Sequence, residues 1–338
     1  MPDVTSGYDI LTIDDIPFER IGELPSPIQA NTIAAGVSPP IQDDSHYSFG
    51  YRVASANGRL AVHALKTTES NMYSGTSRLY FYDYNLNQIG SVPEVDFDVT
   101  VDQINDYTLS SHDMKISDDG RYVAITLGNE GNFVTPTDEN VWVFDLNNFI
   151  DGDTTNYDSL LINEPTPLDP DGYSGWGSSI AISNDYIVVG SPNYSVDGVN
   201  HRGRVDIFYT SNGDHYGSVY SPETRAGEDE RFGIGLAIDG NTLYIGADSH
   251  AFRGQVFSNS YSGAIHTFDI SNNEITHTFN QQYIIDSLFN GSESSVTEDF
   301  KTYALGESLA ISNNYLYIGH NRKPKRRSPI EFEYYPDG

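Results

Sequence analysis

The chain has 338 residues, with 48 acidic and 18 basic side chains, a formal charge of −30 and no cysteine. A surface this acidic repels polyanions and anionic lipid, which argues against nucleic-acid binding and membrane adsorption, and the missing thiols exclude disulfides. No apolar run approaches the roughly 18 residues that a membrane-spanning helix needs, so no membrane insertion is expected.

Met1-Pro2-Asp3-Val4 opens without a basic residue or an apolar run, so no secretory signal is expected at this start. Two short strand-like stretches follow, Ile10-Leu11-Thr12-Ile13 and Arg20-Ile21-Gly22-Glu23-Leu24, before a Pro-rich connection to residue 48. Residues 49–63 read FGYRVASANGRLAVH; behind them come an apolar strand at 78–83 (RLYFYD) and another at 88–93 (QIGSVP). A weaker copy, DMKISDDGRYVAITL at 113–127, is followed by NVWVFD at 140–145. Residues 176–192, WGSSIAISNDYIVVGSP, lead into strands expected at 204–209 and 215–222. Residues 232–247, FGIGLAIDGNTLYIGA, lead through a loop at 248–262 into a strand at 264–269. The last copy, LGESLAISNNYLYIGH at 305–320, precedes a basic cluster at 322–327 and an alternating stretch, Ile330 to Tyr335.

These copies are repeats. The glycines at 50, 177, 233 and 306 are 127, 56 and 73 residues apart, and the weak copy falls midway in the first gap. The period is therefore about 60 residues, the size of one four-stranded propeller blade with generous loops. Small residues mark the crowded innermost strand: Ala54, Ala181, Ala237 and Ala310. The next strand is a continuous apolar run, as burial on both faces requires: Ile187-Val188-Val189, Leu243-Tyr244-Ile245 and Leu316-Tyr317-Ile318. Between them stand turn pairs that tolerate φ > 0, namely Asn57-Gly58, Asp119-Gly120, Asn184-Asp185, Gly240-Asn241 and Asn313-Asn314.

The pattern of an aromatic-Gly pair, a small inner strand, a turn and an apolar run ending in Gly-Ala or Gly-Ser resembles the FG-GAP repeats of integrin α-chain propellers and of bacterial and phage proteins. The resemblance implies an all-β, β-propeller fold of five blades; six fit if residues 25–48 or 280–300 hide a degenerate repeat. It divides one domain into an N-terminal closing segment (1–48), five blades (49–320) and a basic loop with a final strand (321–338). The fifth repeat lacks an outer strand of its own. Residues 20–27 resemble the outer strands at 88–93 and 215–222, so the termini are expected to share the last blade and remove its open edge.

Little in the sequence points to chemistry. The calcium loop that integrin-type repeats carry between their first two strands is absent here, since only the two-residue turns occupy that place. A looser candidate, Asn193 to Asn200, has a single carboxylate, and no metal is expected. Acidic pairs such as Asp43-Asp44 and Asp118-Asp119 sit in no catalytic motif, and the nine histidines show no zinc spacing. His63 stands where other repeats have Gly190 and Gly246, and a structural role is expected of it. No Walker A, dinucleotide or nucleophile-elbow motif occurs, so no cofactor is expected.

Binding residues are sought in the loops. Phe252, Arg253, Phe257 and Tyr261 in the 248–262 loop, and Arg322, Lys323, Lys325, Arg326 and Arg327, are the principal candidates. Tyr173, Tyr194, His201, Arg202 and His250 are further exposed candidates. The expectation is a non-enzymatic binding or structural module, a phage virion protein of tail or fibre that meets neighbouring virion proteins, the host surface or another copy of itself. A surface adhesin and a carbohydrate-active enzyme are the alternatives. The location expected is virion or extracellular.

Overall fold

The computed structural model describes residues 45–68, 71–95, 109–110, 113–129, 140–149, 159–165, 174–199, 201–222, 230–248, 261–272, 274–280, 302–312 and 315–319. Strands make up almost all of their regular structure, with one 3₁₀ turn at Leu146–Phe149.

Each of the first four repeats becomes one antiparallel meander. The first sheet is β1 (Ser45–Ala56), β2 (Arg59–Thr68), β3 (Asn71–Tyr82) and β4 (Gln88–Val95), paired in that order. In the second, the innermost strand is split into β5 (Leu109–Ser110) and β6 (Met114–Ile116), both paired with β7 (Tyr122–Asn129). β8 (Asn140–Asp145) and β9 (Ser159–Ile162) complete it. The third is β10 (Ser179–Ile182), β11 (Tyr186–Ser191), β12 (Arg204–Tyr209) and β13 (His215–Tyr220). The fourth is β14 (Phe232–Asp239), β15 (Thr242–Ala247), β16 (Tyr261–Asp269) and β17 (Thr276–Asn280). A short β18 (Thr302–Leu305) runs parallel to the start of β16, a pairing the repeat pattern does not contain. The last described sheet is the hairpin β19 (Ser308–Ser312) and β20 (Tyr315–Gly319).

The sheets stack face to face through their first strands: β1 meets β6, β6 meets β10, β10 meets β14 and β14 meets β19. Apolar clusters fill the spaces between them. Ala61, Leu79 and Phe81 share one with Met114, Ile125 and Phe144. Ala124, Val141 and Val143 share the next with Ile180, Ile187 and Phe208. Val188, Val205 and Ile207 share a third with Leu236, Leu243 and Phe268. Consecutive four-stranded meanders packed in this way are the arrangement of a β-propeller.

The motif glycines fix that stacking. Gly50, Gly177, Gly233 and Gly306 have φ between +87° and +94°, a conformation that L side chains rarely adopt. At Gly50 and Gly233 the strand register also shifts, between Phe49 and Arg52 and between Phe232 and Gly235. The bulge turns the chain into the inner strand. The second glycine of the repeat answers a different need. A Cβ on Gly190 would lie 3.1 Å from the carbonyl carbon of Gly233, and one on Gly246 would lie 2.7 Å from that of Gly306, with the oxygens closer still. Second-strand and motif glycines of consecutive sheets thus touch backbone to backbone. The Ser179 hydroxyl adds a 2.6 Å hydrogen bond to the Gly233 carbonyl.

Two of the expected turn pairs close two-residue hairpins, while Asp119-Gly120 and the burial of β20 need correction. Asn57-Gly58 has φ of +44° and +71°, as a type I′ turn requires. Asn184-Asp185 closes a two-residue loop between Ser183 and Tyr186 without either residue at positive φ. Asp119-Gly120 belongs to a longer loop, in which Ser117 N donates to Tyr122 O and Gly120 N to Ser117 O. β20 is not buried on both faces: Tyr315 and Tyr317 are 68% and 56% exposed. Residues 10–13, 20–27 and 330–335, and with them the expected closing strands, lie outside the described residues.

Candidate functional site

The turns between first and second strands lie at one end of the sheets, and the long connections between second and third strands at the other. At the latter end the connection between β11 and β12 folds back on itself and crosses the segment that leads from β13 into β14. Tyr194 O accepts from Gly203 N at 2.9 Å, His201 O from Arg231 N at 2.8 Å and Arg202 O from Phe232 N at 3.1 Å. The crossing needs unusual backbone: His201, Gly203 and Arg231 have φ of +56°, +92° and +54°. A Cβ at Gly203 would lie 2.6 Å from Phe232 N, so the two backbones can approach this closely only with glycine there.

Charged side chains fill the crossing. Arg204, on the buried strand β12, is 1% exposed. Its Nε donates to Asp206 Oδ2 at 3.0 Å and its Nη2 to Glu164 Oε1 at 2.9 Å. Its guanidinium lies 4.1 Å from the centroid of the Tyr194 ring, which in turn contacts Tyr220. Beside it, buried Arg202 is 3.9 Å from the buried Glu230 carboxylate, and Arg231 Nη1 reaches Asp248 Oδ2 at 2.9 Å. Each acid here faces a guanidinium, the condition under which burying either charge is tolerable.

One triad of catalytic residue types occurs nearby. Ser218 Oγ, His215 Nε2 and Asp206 Oδ1 lie together on β12 and β13. A serine nucleophile needs its proton taken by a histidine whose other nitrogen is held by the acid. Here the Ser218 hydroxyl donates straight to Asp206 Oδ1 at 2.5 Å, and the same His215 Nε2 stands 3.1 Å from that hydroxyl and 3.7 Å from the acid. The arrangement ties the outer strand β13 to the charge cluster.

The calcium candidate folds as a hairpin. Val196 and Val199 exchange backbone hydrogen bonds of 3.0 and 2.9 Å across Asp197-Gly198, which has φ of +53° and +75°. Its one carboxylate, Asp197, sits exposed at the tip, while Tyr194 and Ser195 are buried. Among the described residues, no group of three acid, His or Cys side chains could hold a metal ion. His63 is fully buried against Tyr51, and burial, helped by Arg52, lowers its pKa to about 4.

Of the binding candidates, His201 is exposed on the crossing. Tyr194 and Arg202, expected to be exposed, are buried in the charge cluster, because Tyr194 lies under Arg204 and Arg202 beside Glu230. Tyr261 is not in a loop but opens β16, opposite Thr302. Tyr173, His250, Phe252, Arg253, Phe257 and the 322–327 cluster lie outside the described residues. The sequence did carry one unread signal for the charge cluster: Arg204 and Asp206, two positions apart within the apolar run of β12, must share a face and neutralise each other.

No protein-family model matches the chain, and no curated protein matches it. Among solved structures it is similar to the β-propeller domain of the Trilobed protease from Pyrococcus furiosus, with 13% identity and a TM-score of 0.38 over 70% of this chain and 57% of that one. It is similar to the Pyrococcus horikoshii acylaminoacyl peptidase at 11% identity and a TM-score of 0.36, over 69% of this chain and 32% of that one. It is similar to BamB from Moraxella catarrhalis at 10% identity and a TM-score of 0.35, over 79% and 68%. The chain thus spans little more than half of the first and about a third of the second. The propeller assignment rests on the sheet geometry of this chain itself.

Proposed function

We propose that the chain is a non-enzymatic binding or structural module, a five-bladed propeller of FG-GAP type whose last blade is completed by strands from both termini. The observation that carries the reading is where the side chains go. Those of the repeated strands fill the inter-sheet clusters, and the acids at the crossing of the third and fourth sheets face guanidinium groups. What remains for recognition is the connections at that end, which differ in length from blade to blade and stand on a rigid base. The setting we propose is a phage virion, in contact with neighbouring virion proteins or the host surface.

The purified chain incubated with a panel of bacterial surface polysaccharides tests the first part. Retention of a glycan or of whole cells without new reducing ends is the expected result. Turnover that disappears on Asp206→Asn would defeat the non-enzymatic reading. Mass spectrometry of density-purified particles from the source culture tests the setting; recovery of the chain only in the cell fraction would contradict it.

A further inference from the structure

The turn between third and fourth strands is built alike in the first and third sheets, with one residue out of keeping. In the third sheet Gly213 takes the left-handed conformation, with φ of +71°; its N donates to Tyr209 O at 2.8 Å, and Tyr209 N donates to Asp214 O at 3.0 Å. The first sheet makes the same two bonds, Leu86 N to Asp83 O and Asp83 N to Asn87 O, both 2.9 Å. The fourth sheet places Asn272 at φ of +57° in its turn. Glycine and asparagine tolerate this backbone, whereas a leucine is strained by it. Leu86, with φ of +63°, is the one aliphatic residue at positive φ among the described residues. Core packing does not account for it: Leu86 is half-buried and joins none of the four apolar clusters among those residues. Two positions earlier Tyr84 is 71% exposed, the most exposed large apolar side chain described. The turn that carries both is nonetheless fixed. Asn87 donates to Asp83 twice, from N to Oδ1 at 2.8 Å and from Nδ2 to Oδ2 at 3.0 Å. Tyr84 also stands over the first hairpin, where a Cβ on Gly58 would lie 3.6 Å from the Tyr84 Cβ. A strained residue kept on a fixed, exposed turn points to contact with something outside the fold.

We propose that Tyr84 and Leu86 form a docking knob, and that its occupant is a protein surface with an apolar pocket and a basic rim. A tyrosine held on a preformed turn loses little freedom on binding and is a frequent anchor of interfaces. The charge of the rim follows from the surroundings. This end of the sheets exposes Asp118, Asp119, Asp185, Asp214, Asp239 and Glu274, and Asp119 O is bound to the Asn57 side chain beside Gly58. Among the described residues the one exposed arginine or lysine at this end, Arg121, is taken up by Asp145 at 2.7 Å. A partner must therefore bring the positive charge. The knob lies at the opposite end from the crossing of the third and fourth sheets, so it gives the module a second contact face.

Hydroxyl-radical footprinting, read by mass spectrometry, tests the contact. Oxidation of Tyr84 and Leu86 is compared between the purified chain and the native fraction of the source culture, with Leu161, 41% exposed on the outer strand β9, as reference. The footprint is read in whichever fraction, particle or cell, carries the chain, so it does not depend on the setting proposed above. Oxidation of both residues is expected to slow by at least about fivefold in the native fraction, as burial at an interface core requires. The protection should vanish in about 1 M salt, where the screening length falls to about 3 Å. Equal oxidation in the two samples would overturn the proposal. Protection that survives the salt would overturn it by removing the basic rim, and protection in the purified chain at matched concentration would do so by assigning the knob to a second copy. Leu86→Gly separates docking from folding. Relief of the left-handed leucine should lower the unfolding constant in urea by at least about threefold. Stability equal to the parent's or lower would show that Leu86 serves the fold, and the knob would have to be abandoned.

Discussion

Replacing Gly246 by alanine should destabilise the protein, and the sign of the effect is the informative part. Gly246 lies in the middle of the strand Thr242–Ala247, and its φ is not in the left-handed region. At such a position alanine normally stabilises by about 0.4–1 kcal/mol, because it restricts the unfolded chain. The added Cβ, however, would sit 2.7 Å from the carbonyl carbon and 3.0 Å from the Cα of Gly306, both backbone atoms of the next sheet that cannot rotate away. Overpacking of this kind costs about 1–3 kcal/mol, and the backbone identity of the obstacle places it at the upper end. The net expectation is a loss of about 2 kcal/mol, which urea unfolding would report as a midpoint lowered by about 1 M or somewhat less. Gly240→Ala serves as comparison: it has φ of +54° and nothing within 4 Å, so it carries only the left-handed backbone cost of about 1–2 kcal/mol. A Gly246→Ala variant as stable as the parent, or more so, would refute the backbone contact between consecutive sheets.

Three further outcomes follow from individual residues. His63 is held neutral in the folded state, with a pKa of about 4 against 6.5 unfolded, so the unfolded state binds the extra proton. Stability from this group is complete above pH 6.5 and falls as the pH drops towards 4; a His63→Gln variant should lose about 3 kcal/mol less than the parent over that range in urea titrations. Arg204→Met leaves Asp206 and Glu164 buried without their guanidinium and should cost about 3–5 kcal/mol by the same assay; a cost under 1 kcal/mol would contradict the buried cluster. Asn57→Gly keeps the turn geometry but removes the 2.8 Å bond from Asn57 Nδ2 to Asp119 O that ties the first two sheets, and should cost only about 0.5–1.5 kcal/mol.

The fold was legible where one residue type answers one local need. The motif glycines, the small inner alanines and the apolar second strands repeat because every blade makes the same bulge and the same close approach. The outer strands at 88–93 and 215–222 were legible for the same reason, and the structure places them in β4 and β13. The crossing of the third and fourth sheets was not. Tyr194 and Arg202 lie between strands, where an aromatic and an arginine read as exposed anchors, and only the tertiary approach of Arg204 and Glu230 buries them. The parallel pairing of β18 with β16 was equally hidden, because it joins Tyr261 to Thr302 across a long connection that carries no repeat signal.

The central claim is that the sheets stack through their first two strands and leave the fourth strands at the rim. Amide hydrogen exchange read by mass spectrometry tests it most directly. The slowest exchange is expected in β10, β11, β14 and β15, whose residues 180–182, 187–191, 235–238 and 245–247 are buried, and faster exchange in β13 and β17, where His215, Tyr220 and residues 276–278 are exposed. Slowest exchange in β13 and β17, with β11 and β15 exchanging early, would contradict it.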